Sequence, residues 1–431
     1  MINNNVLVIS YYFPPMGLSG VQRTLKFVKY LSTFGWNPTV LTTNVQSYYA
    51  FDETLINEIP EITICRTEKD TIFTNFTIKK NNTNSPTTLK YPNQFVQKVK
   101  RIISQSIFQP DSRVTWQKHA LKLGREILSK GEFNAIYATA PPFTDFIVAQ
   151  KLAEEFNIPF IVDYRDLWVD NAYYYYLTTF HKNYAINLEY EVLKKASKVI
   201  VTSRNLKEAL LKRYSFLNHN DITIISHGFD NEDFLEVRGI SKPTEKFVIT
   251  HSGLFPDDLT PKYFLKAVLE LIKEKPELRN QIELKFVGVM RKSHTKLISK
   301  YKLGDISNIK GYVSHSESIK EILSSDILWM MIPNNIVTPS RLYEYIGSLK
   351  PFIISAPNGN MKQTAIDSKV AKVTEAKDVK AIKLTILEFY ELWQNNLLPI
   401  GNKDFANKFE RKYLTGLLAR ELSHIARYNQ F

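Results

Sequence analysis

The sequence holds one cysteine, Cys65, so no disulfide can form within the chain, and that usage suits a reducing compartment. No run of apolar residues reaches the length that spans a bilayer. The opening MINNNVLVIS also lacks a cationic region followed by a long apolar one. A cytoplasmic protein is expected. Acidic residues are in short supply, 43 against 56 basic ones, which leaves a formal net charge of +13. Between residues 71 and 110 they vanish, while Lys79, Lys80, Lys90, Lys98, Lys100 and Arg101 remain. Zinc-ligand spacing, aromatic RNA-binding motifs and basic-region heptads are missing too, so no nucleic-acid partner is expected. The segment YPNQFVQKVKRIISQSIF instead allows a helix with Phe95, Val99, Ile102, Ile103 and Phe108 among the cations. Two readings stay open for it: peripheral contact with an anionic membrane, or packing on its own domain with a solvated basic face.

What is present is enough apolar material, 44% in 431 residues, for two domains with full cores. The chain opens as strand, loop, helix and strand, with VLVIS, a stripe of Val21, Leu25, Val28 and Leu31, a capping Gly35 and a strand from Pro38. Such a βαβ unit implies a parallel sheet. Alternation continues with a strand at 61–66, a polar stretch to 112, helix 115–129, strand 135–139, helix 143–156 and strand 159–163. Helix 184–195, strand 198–202, helix 205–214 and strand 222–226 come next. After the polar SKPTEK a second alternation starts at FVITHSG, and helices are expected over 376–395 and 403–428.

The loop YYFPPMGLSG lies beyond a strand end, where open α/β sheets bind ligands. It lacks the third glycine and the spacing of a dinucleotide fingerprint, so a nicotinamide cofactor is not expected. Asp163, Arg165, Asp166 and Trp168 sit just past another strand end. There an Arg165–Asp166 pair can brace the loop, or the same groups can meet a substrate. The neighbouring Tyr173–Tyr176 run reads either as a sugar-stacking surface or as core.

The densest signal is DILWMMIPNNIVTPSRLYEYIGSLKPFII, residues 326–354. Ile327–Ile332 reads as a buried strand, Pro339 and Ser340 as a helix start, and Leu342, Tyr345, Ile346 and Leu349 as the core face. Arg341 and Glu344 fall on one side of the first turn, three residues apart. A helix start and a guanidinium suit phosphate oxygens, and a carboxylate suits paired sugar hydroxyls. The same residues also fit a plain surface ion pair on an amphipathic helix.

PSRLYEYIGSLKPFI resembles the donor-nucleotide helix of retaining family 4 glycosyltransferases, enzymes of the two-domain GT-B fold. That family usually has Lys where Arg341 stands, and its Glu matches Glu344. The resemblance implies that Arg341 holds the diphosphate of a nucleotide-sugar and Glu344 the ribose, with Ser340 and Leu342 beside them. Further matches occur in order along nearly the whole chain. The first loop implies Gly20 at the donor sugar and Ser19, Gln22 and Arg23 on the acceptor side. ATAPPFTDF and FIVDYRDLWVDN imply Asp145, Arg165 and Asp166 near the reacting centre and Trp168 at the acceptor. Many relatives have a His where Asp145 is the nearest titratable group. ISHGFDNEDF resembles the turn at the domain junction; His227 is implied at the donor, Gly228 suits a positive φ and Asp230 can cap the segment after it. Gly253 at a strand end, Arg291, and Tyr312 with Val313 at the nucleobase complete the set. Ser314 and Glu317 make a capping box.

Two departures stand out. Asp257 and Asp258 lie where basic residues are usual, with only Lys262 beyond them. Ile336 replaces a second Glu eight positions before Glu344, which leaves the sugar hydroxyls to backbone N–H groups of 335–338.

The resemblance implies an α/β, GT-B architecture of two Rossmann-like parallel-sheet domains facing a cleft. Expected bounds are 1–228 for the first domain, with an insertion at about 67–112, and 229–246 for the linker. Residues 247–402 form the donor domain, and 403–431 a helix crossing back onto the first. The implied reaction moves a hexose-type sugar from a nucleotide diphosphate sugar to a hydroxyl acceptor, a glycan that can be lipid-linked, with retention. No cofactor and no metal are expected. Two other functions fit the same pattern: a GT-B sugar-nucleotide epimerase, and a non-catalytic subunit that stabilises a partner transferase.

Overall fold

The structure is a computed structural model that describes residues 4–17, 19–45, 51–68, 102, 105, 108–171, 174–235, 237, 244–255 and 259–428. Most of the basic 71–110 stretch, the Ser19 side chain, Tyr173, the start of SKPTEK and the Asp257–Asp258 pair lie outside the described residues. No helix among those described is long and apolar enough to cross a membrane.

The chain divides into two units. Among the described residues, the first runs to His227 and resumes at Arg411; the second is Gly228–Glu410. Each is built on one parallel sheet. In the first unit the strands are β1 Asn4–Ile9, β2 Trp36–Thr42, β3 Thr63–Arg66, β4 Ala135–Ala140, β5 Phe160–Tyr164, β6 Lys198–Val201 and β7 Ile222–Ile224. Their order is β3-β2-β1-β4-β5-β6-β7. The second unit has β8 Phe247–Ser252, β9 Ile282–Val287, β10 Ser307–Gly311, β11 Ile327–Met331, β12 Phe352–Ser355 and β13 Ala371–Thr374, in the order β10-β9-β8-β11-β12-β13.

Helices cover both faces of a sheet of this kind, so its central strands must be apolar throughout rather than alternating. β4, β5, β8 and β11 accordingly have every residue buried. In both sheets the strand order reverses beside the first strand, between β1 and β4 and again between β8 and β11. Loops leaving the carboxyl ends there diverge and leave a crevice for a ligand.

The last helix, Arg411–Tyr428, belongs to the first unit, as the resemblance implied. Leu414, Leu418, Leu422 and Ile425 recur every three or four residues and join Phe27, Val28, Leu31 and Trp36 in one core. Trp36 Nε1 donates to Ser423 Oγ at 3.1 Å, and Lys198 meets Glu421 at 3.3 Å. Ser423→Ala strands that indole N–H and is expected to cost about 1 kcal/mol, read as a lower denaturation midpoint with unchanged m-value.

Two expectations about boundaries and one about a backbone angle are corrected. The helix expected over 403–428 is two, Lys403–Asn407 and Arg411–Tyr428. The break arises because Ala406 and Phe405 pack in the second unit's core, with Phe409 against the Tyr343 ring and its carbonyl accepting from Phe229 N at 3.0 Å. The linker expected at 229–246 begins later, since Phe229, Phe234 and Val237 are buried in that same core. A Cβ on Gly347 would come within 2.4 Å of the Phe229 ring, so glycine there makes room for it. Gly228 does not take the positive φ expected of it, whereas Gly35, Gly253, Gly288, Gly311 and Gly359 do.

Candidate functional site

In the second unit, candidate residues gather where β8, β9 and β11 end. Gly253 comes after β8 with φ +125° and Gly288 after β9 with φ +129°. Gly253 N donates to Val287 O at 2.8 Å, and Gly288 N to Gly311 O at 2.8 Å. A Cβ on Gly288 would lie 2.4 Å from the Gly253 carbonyl oxygen, while one on Gly253 would meet nothing within 4 Å among the described residues. Glycine at 253 therefore serves backbone conformation and leaves open space above the strand end; glycine at 288 allows two backbones to touch.

Arg341 and Glu344 open the helix Arg341–Gly347 and form an ion pair through Nη1 and Oε2. Arg341 Nη1 also donates to Ser318 Oγ at 3.1 Å, and Ser318 Oγ meets Ser252 Oγ, at the end of β8, at 3.0 Å. The remaining guanidinium donors, Nε and Nη2, have no partner among the described residues. A half-buried guanidinium with two donors to spare can grip oxygens of a phosphate. Tyr345 ties the two strand ends together. Its hydroxyl accepts from Ser252 N at 2.9 Å and donates to Trp329 O at 3.2 Å, at the β8/β11 crevice.

His251 Nδ1 lies 3.0 Å from Trp329 O and its ring stacks on Phe255 at 4.1 Å. Burial, with Arg341 and His294 nearby, pushes it down to about 3, so the imidazole is neutral at physiological pH. His294 is held down to about 4 by burial and by Arg291. Neither histidine serves as a proton donor near pH 7. Arg291 is buried at the start of the helix Lys292–Lys300. Tyr312 and Val313 sit half-buried after β10, and Ser314 caps the helix His315–Leu323 by accepting from Glu317 N at 3.2 Å.

Several expected contacts are redirected. Leu342 lies in the core and its N–H goes to Pro339 O at 3.2 Å, while Tyr343 N goes to Ser340 O at 3.0 Å. The start of this seven-residue helix thus offers fewer free donors than its sequence suggested. The N–H groups of Ile336 and Val337, expected at sugar hydroxyls, both donate to Asn334 Oδ1 at 3.0 Å. Lys262 is exposed, with its ammonium over the Tyr263 ring.

In the first unit the loops after β1 and β4 bring Tyr11 to Asp145. Tyr11 N donates to Asp145 Oδ2 at 2.9 Å, and Oδ1 is buried without a partner. Burial, with Asp111 close by, raises the Asp145 carboxyl well above the usual range. Arg165 does not pair with Asp166. It donates to the carbonyls of Ala140, Pro141 and Gly20, clamping the loops after β1 and β4 together. Asp166 remains partly exposed.

Arg23 is spent on the fold. Its Nε and Nη2 pair with Asp163 at 2.7 and 2.8 Å, and it also donates to Ser226 O and Ile225 O at 2.7 and 2.9 Å. Tyr137 and Thr139 donate to the same Asp163 at 2.5 and 3.1 Å. Trp168 is fully buried, stacked on Phe143 at 4.9 Å. Neither side chain is placed to meet an acceptor. Gln22 is buried, and its Oε1 has no partner among the described residues. His227 is buried, and burial with Arg23, Arg411 and Arg165 around it lowers its pKa far below 6.5. Gly20 is exposed, and a Cβ there would meet Arg165 Nη1 at an ordinary 3.5 Å. Gly20→Ala is therefore expected to change stability by less than about 0.5 kcal/mol. An effect on turnover at unchanged melting temperature would place this loop at a substrate.

Ser318, Gly288 and His315 escape a reading by sequence alone, and Tyr345 is read there only as core. Only the capping box at Ser314 hints at two of them, since it sets which residues face inward on the helix it starts.

The family model for Glycosyltransferase Family 4 matches residues 20–233, and that for Glycosyl transferases group 1 matches residues 234–402. Among solved structures, sucrose-phosphate synthase from Thermosynechococcus elongatus is similar at TM-score 0.62 and 16% identity, over 98% of this chain and 99% of that one. HepE from Anabaena, in complex with UDP and glucose, is similar at TM-score 0.63 and 14% identity, over 97% and 99%. A glycosyltransferase from Rickettsia africae is similar at TM-score 0.58 and 16% identity, over 99% and 97%. At such identities the likeness speaks for the fold alone. No curated protein sequence matches the chain.

Proposed function

The chain belongs to the GT-B glycosyltransferases of family 4, and from that premise we propose that it moves a hexose-type sugar from a nucleotide diphosphate sugar to a hydroxyl acceptor with retention. One observation carries the reading. At the β8/β11 crevice Arg341 keeps two donors free beside Glu344, above a strand end whose Gly253 leaves space open. That arrangement suits a nucleoside diphosphate, with the phosphates at Arg341 and the ribose at Glu344. HepE, of the same fold, binds UDP and glucose, which supports a uridine donor.

Breaking the bond between the sugar and the diphosphate leaves negative charge on the departing phosphate and positive character on the sugar ring. Groups that stabilise the leaving group lower the barrier most. Arg341 and the backbone around Gly253 are placed to do so from the donor side. Such chemistry needs no redox cofactor, and the charge of Arg341 takes the part that a divalent cation plays elsewhere.

The test is turnover of UDP-, GDP- and ADP-hexoses against a panel of hydroxyl acceptors that includes lipid-linked glycans, with and without EDTA. The expected result is free nucleoside diphosphate in step with a product of retained anomeric configuration, undiminished by EDTA. The Asn334 cap on Ile336 and Val337 favours a second reading, a non-catalytic subunit, because it withdraws donors that would hold the sugar. Tight nucleotide binding without turnover on the whole panel would favour it.

A further inference from the structure

The helix His315–Leu323 turns two side chains, one turn apart, toward the Arg341–Glu344 pair. Ser318 Oγ accepts from Arg341 Nη1 at 3.1 Å and is itself fixed by Ser252 Oγ at 3.0 Å. Three residues earlier, His315 Nε2 lies 3.6 Å from Glu344 Oε1, and its Nδ1 lies 3.8 Å from Asp233 Oδ2. Both are longer than a hydrogen bond, and they become ion pairs only with the imidazole protonated. Glu344 is thus held from both sides, by Arg341 at Oε2 and by His315 at Oε1. Asp233 anchors the far side of the imidazole from the short helix Asn231–Leu235, whose start Asp230 caps by accepting from Glu232 N at 3.0 Å.

We propose that His315 and Ser318 are positioning residues for the nucleotide site. Ser318 fixes the guanidinium of Arg341 and, with it, where the free Nε and Nη2 point. His315 fixes the carboxylate of Glu344. Arg and Glu side chains are rotamer-rich, and each one left loose must be ordered when ligand binds. A helix that orders them beforehand removes that cost from binding. The proposal rests on the nucleotide-sugar reading above and adds who holds its two central groups.

The probe is UDP, with GDP and ADP alongside, titrated by calorimetry into the full chain and its variants. Wild type binds one of the three, and Arg341→Ala and Glu344→Ala weaken it. His315→Ala and Ser318→Ala are expected to weaken the same nucleotide about 5- to 20-fold at a near-unchanged melting temperature. The decisive arm is the double variant. On a Glu344→Ala background His315→Ala loses nothing further, and on an Arg341→Ala background Ser318→Ala loses nothing further. Additive losses, or wild-type affinity in both single variants, overturn the positioning role and leave the nucleotide reading standing. If wild type binds none of the three, the nucleotide reading falls, and the proposal with it.

Discussion

Arg341→Ala is expected to weaken binding of the diphosphate by about 1.5–3 kcal/mol, roughly a 10- to 150-fold rise in Kd. The loss has two sources. The charge-assisted hydrogen bonds from Nε and Nη2 disappear, and Glu344, largely buried, loses its ion-pair partner. The Glu344 carboxylate, no longer offset by that charge at Oε2, repels the phosphates that the guanidinium attracted. Arg341→Lys keeps the charge without the fork, and the family usually has lysine there, so it is expected to keep most of the affinity. Glu344→Ala is expected to cost a similar amount, mostly in the nucleoside part: free phosphate binding should change less than UDP binding. Calorimetric titration of UDP and of inorganic diphosphate separates the two. Unchanged affinity in both alanine variants would remove this helix from the site.

A second large effect concerns stability and pH. Glu189, on the helix Thr179–Lys195, is buried and accepts from Tyr214 Oη at 2.7 Å. Burial pushes its carboxyl up from 4.5 to about 7. The Tyr214 and Tyr164 hydroxyls and Arg213 work against that shift, and Asp170, itself paired with Arg213, adds to it. Tyr176 is the other titratable group facing it. The folded state therefore holds a proton that the unfolded state releases between about pH 4.5 and 7. Stability from this group is complete below pH 4.5, falls as pH rises through that window, and is gone above about pH 7. The loss amounts to about 3 kcal/mol, at 1.36 kcal/mol per pKa unit. Glu189→Gln keeps an acceptor for Tyr214 and carries no charge. It is expected to be more stable than wild type at pH 8 by about that amount and to differ little at pH 4.5. Urea denaturation at the two pH values measures this directly; equal midpoints at pH 8 would show that the carboxyl ionises at no cost.

Much of the architecture is legible locally. A strand buried on both faces must be a short apolar run, and a covering helix must repeat its apolar residues every three or four positions. Those periods are properties of neighbours in sequence, so β1, β4, β8 and β11 with the helices after them can be read directly, and so can the cap at Ser314 and the pair at Arg341 and Glu344, which lie one turn apart. Where the chain alternates, parallel pairing is the consequence.

The tertiary structure decided what depends on residues far apart. Arg23 and Asp163 are 140 positions from each other, and only the sheet order brings them to a bidentate pair that withdraws Arg23 from any ligand. Trp168 looks like an exposed loop residue until Phe143 closes over it. The clamp of Arg165 on three carbonyls was invisible because backbone acceptors carry no signature in the sequence. The same holds for Asn334, which takes the N–H groups of Ile336 and Val337, and for the touching backbones at Gly253 and Gly288. Residue type and short spacing therefore determined which groups this chain can offer. Which of them stay free for a ligand was decided by packing, because a buried donor or acceptor takes whatever partner the fold brings within reach.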